Sequence, residues 1–190
     1  MKSPIAIACL ALLCLSVATG GDQSQAEDKK EKATDFSLAD VEYFHRFTKD
    51  DQHEYTPEGQ EDLKAWTDMT TIQIYRKAKD GEALAVTANA VLENYKAHKA
   101  VVVKTDSVPR TKELPAEHLI VVYFVRPEYI EAVFARFRMH DGVGTALIYS
   151  HRVYGNKAGK EMGAWLEKTG PATEKSLLKW DAMPKLPPPK

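Results

Sequence analysis

The sequence predicts an α+β fold, a mainly antiparallel sheet of about six strands flanked by two helices. Three observations carry that expectation. Short β-branched or alternating segments follow one another with short connections, which favours antiparallel pairing. The stretch Leu84 to Tyr95 repeats apolar residues at helical spacing, and Lys160 to Trp180 is helical in composition. Asp141-Gly142 separates two long alternating runs, a strong hairpin signal.

Taken in order, Val41 to Tyr55 mixes aromatic and charged residues and reads as one long or two short strands, with a turn near Lys49-Asp50-Asp51. Pro57-Glu58-Gly59-Gln60 is a turn. Thr70 to Tyr75 alternates and is β-branched, so it is a strand. Asp80 is placed to cap a helix starting near Glu82, with Leu84, Ala88, Val91, Leu92 and Tyr95 on one face. Val101-Val102-Val103 opens a further strand, whose length Pro109 limits. His118 to Val125 is an apolar run read as a central strand. Tyr129 to His140 and Gly144 to Tyr154 form the hairpin. In the last helical region Gly170-Pro171 marks a break, so two short helices or one interrupted helix are expected.

The ends have other roles. Lys2 followed by the apolar run Ile5 to Val17, closed by Ser16, Ala18 and Gly20, reads as a cleaved signal peptide over 1–20. The run is shorter than the roughly 20 residues a membrane span needs. Both cysteines, Cys9 and Cys14, leave with it, so the mature chain has no disulfide, thiol nucleophile or cysteine metal ligand. Residues 21–35 form a charged spacer, 36–183 a single α+β domain, and 184–190 a proline-rich tail. The expected location is periplasmic or secreted.

Composition is that of a globular protein, with 44% hydrophobic and 28% charged residues among 190. Charge is balanced, 26 basic against 27 acidic residues. Nucleic-acid binding by bulk charge is therefore excluded, and no membrane-spanning helix is expected after cleavage.

The element order resembles the Mog1/PsbP-like α/β/α sandwich, a fold of photosystem II extrinsic proteins and of DcrB-type periplasmic proteins. Tyr55-Thr56-Pro57-Glu58-Gly59-Gln60 with Ala65-Trp66-Thr67-Asp68-Met69 also resembles a segment of uncharacterised exported bacterial proteins. The resemblance implies an accessory-type protein and brings no catalytic residues; fold alone does not give function.

Three constellations carry candidate chemistry. With a three-residue hairpin loop, Arg136 and Arg138 share a face with Arg152, and their guanidiniums suit a carboxylate or phosphate. The competing role is structural: stems on the sheet, heads paired with helix glutamates. His45 and His53, with Asp50, Asp51 and Glu54, form the densest set of metal-ligand types, but their spacing matches no metal motif. His118, His140 and His151 titrate near neutrality, yet no Gly-x-Ser-x-Gly elbow supplies a nucleophile.

The expected function is an exported, non-enzymatic binding module for a protein or a small anionic ligand, with Arg136, Arg138 and Arg152 as ligand contacts and no cofactor, catalytic residue or metal. The alternatives are an envelope hydrolase using histidine or carboxylate chemistry and a metal-handling protein built on His45 and His53.

Overall fold

The computed structural model describes residues 35–186. The expected signal peptide at 1–20, the expected spacer up to 34 and the last four residues of the expected 184–190 tail lie outside the described residues. The chain runs β1 (Phe36–Leu38), β2 (Val41–Lys49), β3 (Gln52–Thr56), β4 (Asp68–Tyr75), α1 (Gly81–Ala97), β5 (Val101–Val108), β6 (Glu117–Val125), β7 (Tyr129–His140), β8 (Val143–Tyr154), α2 (Ala158–Lys168) and α3 (Gly170–Lys179). One sheet holds eight strands in the order β1-β2-β3-β4-β8-β7-β6-β5, every neighbouring pair antiparallel.

The sheet thus exceeds the expected six strands. The region 41–55 divides into β2 and β3, and β1 adds a short strand that exists because Phe36 stacks on Tyr43 and packs against Trp180, with centroids 5.3 and 5.1 Å apart. The helices number three rather than two among the described residues. Thr169 interrupts the last helical region, and Pro171, which has no N–H to give, sits in the first turn of α3. His118 to Val125 falls in β6, which is next to the sheet edge rather than central.

α1 lies over β6, β7 and β8 on one face; α2 and α3 cover β7 and β8 on the other. The Asp80 carboxylate accepts from the Ala83 N–H at 2.8 Å and starts α1. Of the five residues its spacing selects, the helix buries Leu84, Ala88, Val91 and Tyr95, while Leu92 is partly buried. They pack on Ile120, Val122, Val133 and Phe137. On the opposite face Met162, Leu177 and Trp180 pack on Leu119, Val121, Phe134 and Leu147, and the same core runs on to Ile72, Tyr55 and Phe36. Each large apolar side chain so buried stabilises by about 1.5–3 kcal/mol. Met183 and Leu186 also rest against this second core. No helix among the described residues is long and apolar enough to cross a membrane.

The hairpin register corrects the expected one. Asp141 and Gly142 have φ of 47° and 75°, the paired left-handed conformations of a two-residue type I′ turn. Val143 therefore joins the strand, Arg136 faces Leu147, and Arg152 faces Glu131. A one-residue shift moves every β8 side chain relative to β7 to the other face. Gly144, second in β8, lies where the loop before α1 crosses: its N–H donates to the Ala78 carbonyl at 2.7 Å, and a Cβ there would stand 2.7 Å from that of Ala78.

β5 is a sheet edge with all eight residues exposed. It carries two devices that discourage pairing with another chain: a bulge between Val102 and Lys104, and Lys104 itself, tied to Glu174 at 2.6 Å.

Candidate functional site

The three arginines singled out by the sequence do not form one constellation. The observed register puts Arg136 and Arg138 on the α2/α3 face and Arg152 on the α1 face. Arg136 has a side chain only 5% exposed. Its Nε and Nη2 donate to the two carboxylate oxygens of Glu117 at 2.7 and 3.0 Å, and its Nη1 donates to the carbonyls of Leu177 and Trp180 at 3.0 and 2.7 Å. These last contacts satisfy carbonyls that the end of α3 leaves over. Arg152 donates from Nε to Glu131 at 2.9 Å and lies between two rings, 3.8 Å from the Trp66 centroid and 4.2 Å from that of Tyr129. Arg138 differs. Its Nη1 donates to Asp181, whose side chain is 74% exposed, while its Nε is buried without a partner.

Asp181 stands on the wall of a groove of about 780 Å³ at the hairpin-turn end of the sheet. Ile74 and Arg76 at the end of β4 and His140, Asp141, Val143 and Thr145 of the hairpin line one side, and the irregular segment 181–186 lines the other. The volume is within the range of ligand sites, roughly 300–1,000 Å³, although the groove is open rather than enclosed. Arg76 is held by Asp51 at 2.7 Å, and His140 sits 3.4 Å from Asp141. The lining mixes apolar side chains, among them Ile74, Val143, Met183 and Leu186, with groups of both charges. Nothing in the sequence marks this groove, because its two walls come from segments far apart in the chain.

A second polar cluster also escapes the sequence. β4 and β8 pair so that Asp68 faces His151. Asp68 Oδ1 accepts from Tyr149 Oη at 2.6 Å and lies 3.0 Å from His151 Nδ1; its Oδ2 accepts from Thr67 Oγ1 at 2.9 Å. Trp165 stacks on the imidazole, centroids 4.2 Å apart and planes within 11°. Burial alone would push the Asp68 carboxyl up, but hydrogen bonds from His151, Tyr149 and Thr67 and the His151 charge outweigh it, holding the group below the usual carboxylate range. Burial, together with the Asp68 carboxylate, pushes the Tyr149 phenol up. An aspartate–imidazole pair of this kind orients a ring; with Trp165 over its face, the arrangement joins α2 to the sheet.

The depressed Asp68 pKa has a sign. Its stabilisation is complete above the unfolded carboxyl's pKa, near 3.9, and is lost as pH falls through the lower folded value. Asp68→Asn is expected to cost about 1–3 kcal/mol at pH 7. In urea melts the gap from the parent should shrink by pH 3; an equal gap at both pH values would show that charge plays no part.

The remaining histidines do not converge. His118 is half-buried on β6 with Nδ1 2.9 Å from Ser107 Oγ, its Nε2 has no partner, and burial lowers its pKa. It faces Phe137 and so the α1 face, whereas His151 pairs with Ala132 on the other face. His45 Nε2 and His53 Nδ1 meet at one hydroxyl, Thr48 Oγ1, at 2.7 and 2.9 Å. Burial, then the His45 charge, lowers the His53 pKa. Among the described residues no group of three His, Cys, Asp or Glu side chains is placed to hold a metal ion.

No family model matches the chain, and no curated protein does. Among solved structures it is similar to the Saccharomyces cerevisiae Ran-binding protein Mog1p, at 11% identity and TM-score 0.44, covering 73% of this chain and 86% of that one. A point mutant of protein Mog1 gives 10% identity and TM-score 0.42 over 65% and 77%. Human STARD10 gives 7% and 0.31 over 73% and 74%. The Mog1-like resemblance expected from the element order recurs in these comparisons, and it concerns the fold alone.

Proposed function

We propose that the protein is an exported, non-enzymatic binding module that receives a segment of a partner protein in the groove between the hairpin turn and residues 181–186. The observation that carries the reading is the groove itself: about 780 Å³, open to solvent, and lined by apolar side chains together with groups of both charges. That is the form of a site for an extended chain rather than for an enclosed substrate. Export rests on the leader pattern at 1–20. The distribution of histidines over opposite faces of the sheet weighs against the hydrolase reading, which needs an acid or base and a reacting group in one cleft.

A photo-crosslinking residue at Ala182 or Lys185, compared with one at Asn89 on α1, tests the proposal in the native compartment. A discrete protein adduct from 182 and 185, absent from 89, is the expected result. Equal labelling from both faces, or none from the groove, overturns it.

A further inference from the structure

The end of the sheet opposite the groove carries an exposed apolar corner. The groove lies at the hairpin-turn end of β7, and the β6–β7 turn lies at the other end of that twelve-residue strand. There Val101 faces Tyr123 across β5 and β6, Val102 faces Val122, and Arg126 Nη1 stands 3.5 Å from the His98 carbonyl oxygen. The turn between α1 and β5 therefore meets the end of β6. Val101, Val102, Val103 and Val125 are all exposed, the last two at 52% and 60%. Neighbouring strand residues point to opposite faces, so Val101 and Val102 make both sides of the corner apolar, and Val125 shares the face of Val101. On that face α2 and α3 pack on β7 and β8 and stop short of these valines.

Positive charge surrounds them. The run Asn94 to Lys104 holds Lys96, His98, Lys99 and Lys104 and no acid, in a chain whose net charge is −1. Glu93 engages Lys96, and Glu174 and Asp106 engage Lys104. Lys99 and Arg126 form no ion pair with another described residue; Arg126 lies over the Phe124 ring, and Glu128 follows it in the turn. Protein contacts are anchored by aromatic residues and arginines set in pockets, whereas the exposed apolar groups here are valines alone. A pairing strand is discouraged by the bulge and by Lys104. Aliphatic side chains ringed by cations suit a bilayer whose headgroups are anionic.

We propose that this corner rests on an anionic bilayer surface, with Val101, Val103 and Val125 in the headgroup layer and Lys99 and Arg126 against lipid phosphates. The open edge of β5 sets the depth. Its unpaired backbone groups need water, so the corner stops short of the hydrocarbon. Held in this way, the module turns its groove away from the membrane and towards a partner.

The test uses protein recovered from its native compartment and sedimentable phosphatidylcholine vesicles, with and without about one-third phosphatidylglycerol. Binding to the anionic vesicles alone, weakened by added salt, is the expected result. Val103→Ser with Val125→Ser should weaken it at least about tenfold, and Lys99→Asn with Arg126→Gln about thirtyfold. Lys99→Asn alone, at a position whose φ of 64° asparagine accepts, should cost about fivefold and leaves the Phe124 contact in place. Val86→Ser, at an exposed position on α1, should bind as the parent does. Equal binding to both vesicles, or parent-like binding by the valine pair or the charge pair, overturns the proposal. Binding to neither vesicle does so too and leaves the corner to a protein contact. Displacement by millimolar inorganic phosphate without loss in the valine pair would make it a site for the free anion instead.

Discussion

Replacing Arg136 by methionine will destabilise the protein by about 3–5 kcal/mol, the cost of removing one partner from a buried ion pair. Methionine keeps much of the length but leaves the Glu117 carboxylate, only 24% exposed, facing an apolar side chain, takes the Arg136 donor from the Trp180 carbonyl, and leaves the Leu177 carbonyl with the Trp180 N–H alone. For a domain of this size the melting temperature should fall by about 10 °C or more. Adding Glu117→Gln should restore part of the loss, because the orphaned charge is gone, while α3 stays frayed in hydrogen exchange. A single variant as stable as the parent, or a double variant worse than the single by the full Glu117 effect, would show that the pair does not hold α3 to the sheet. Charge reversal at Arg136 is consequently a perturbation of the fold.

The second large effect is expected at Arg152. Arg152→Ala should cost about 3–5 kcal/mol as well, because it leaves Glu131, whose side chain is 16% exposed, without its partner. It also empties the space between Trp66 and Tyr129, where desolvated cation–π contact is worth about 2 kcal/mol. Glu54 nearby already has a pKa raised by burial, which Arg152 partly offsets. Arg152→Lys should recover less than half of the loss, since an ammonium keeps the charge but cannot stack as a plane between two rings. Chemical denaturation measures the cost, and a shift in tryptophan emission reports on Trp66. Full rescue by lysine would mean that charge alone matters there.

Local pattern made α1 and the hairpin readable. The spacing of Leu84, Ala88, Val91 and Tyr95 and the Asp80 cap are properties of one turn of helix and its neighbours, and the structure keeps them. β1 was not readable, because a three-residue strand has no periodicity and exists only through rings brought by β2 and the end of α3. The arginine faces turned on one residue of turn length: Asp141 and Gly142 both take positive φ, Val143 joins β8, and Arg152 changes sides relative to Arg136. The Asp68–Tyr149–His151 cluster and the groove depend on which strands become neighbours, and no local signal encodes the pairing of β4 with β8.

That pairing also orders the assembly of the molecule in time. β1 to β4 form one meander and β5 to β8 another, each closed by connections between consecutive strands, and the two meet only where β4 lies along β8. Ile72 finds Leu147 across that join, so a loop of about 75 residues must close, with α1, β5, β6 and β7 inside it. Contacts of such separation repay their entropy late, which slows folding relative to a chain of purely local contacts. Until the join forms, β4 and β8 each present an open edge, and those edges, rather than the bulged and lysine-bearing β5, are where a half-folded chain is exposed to association with its own kind.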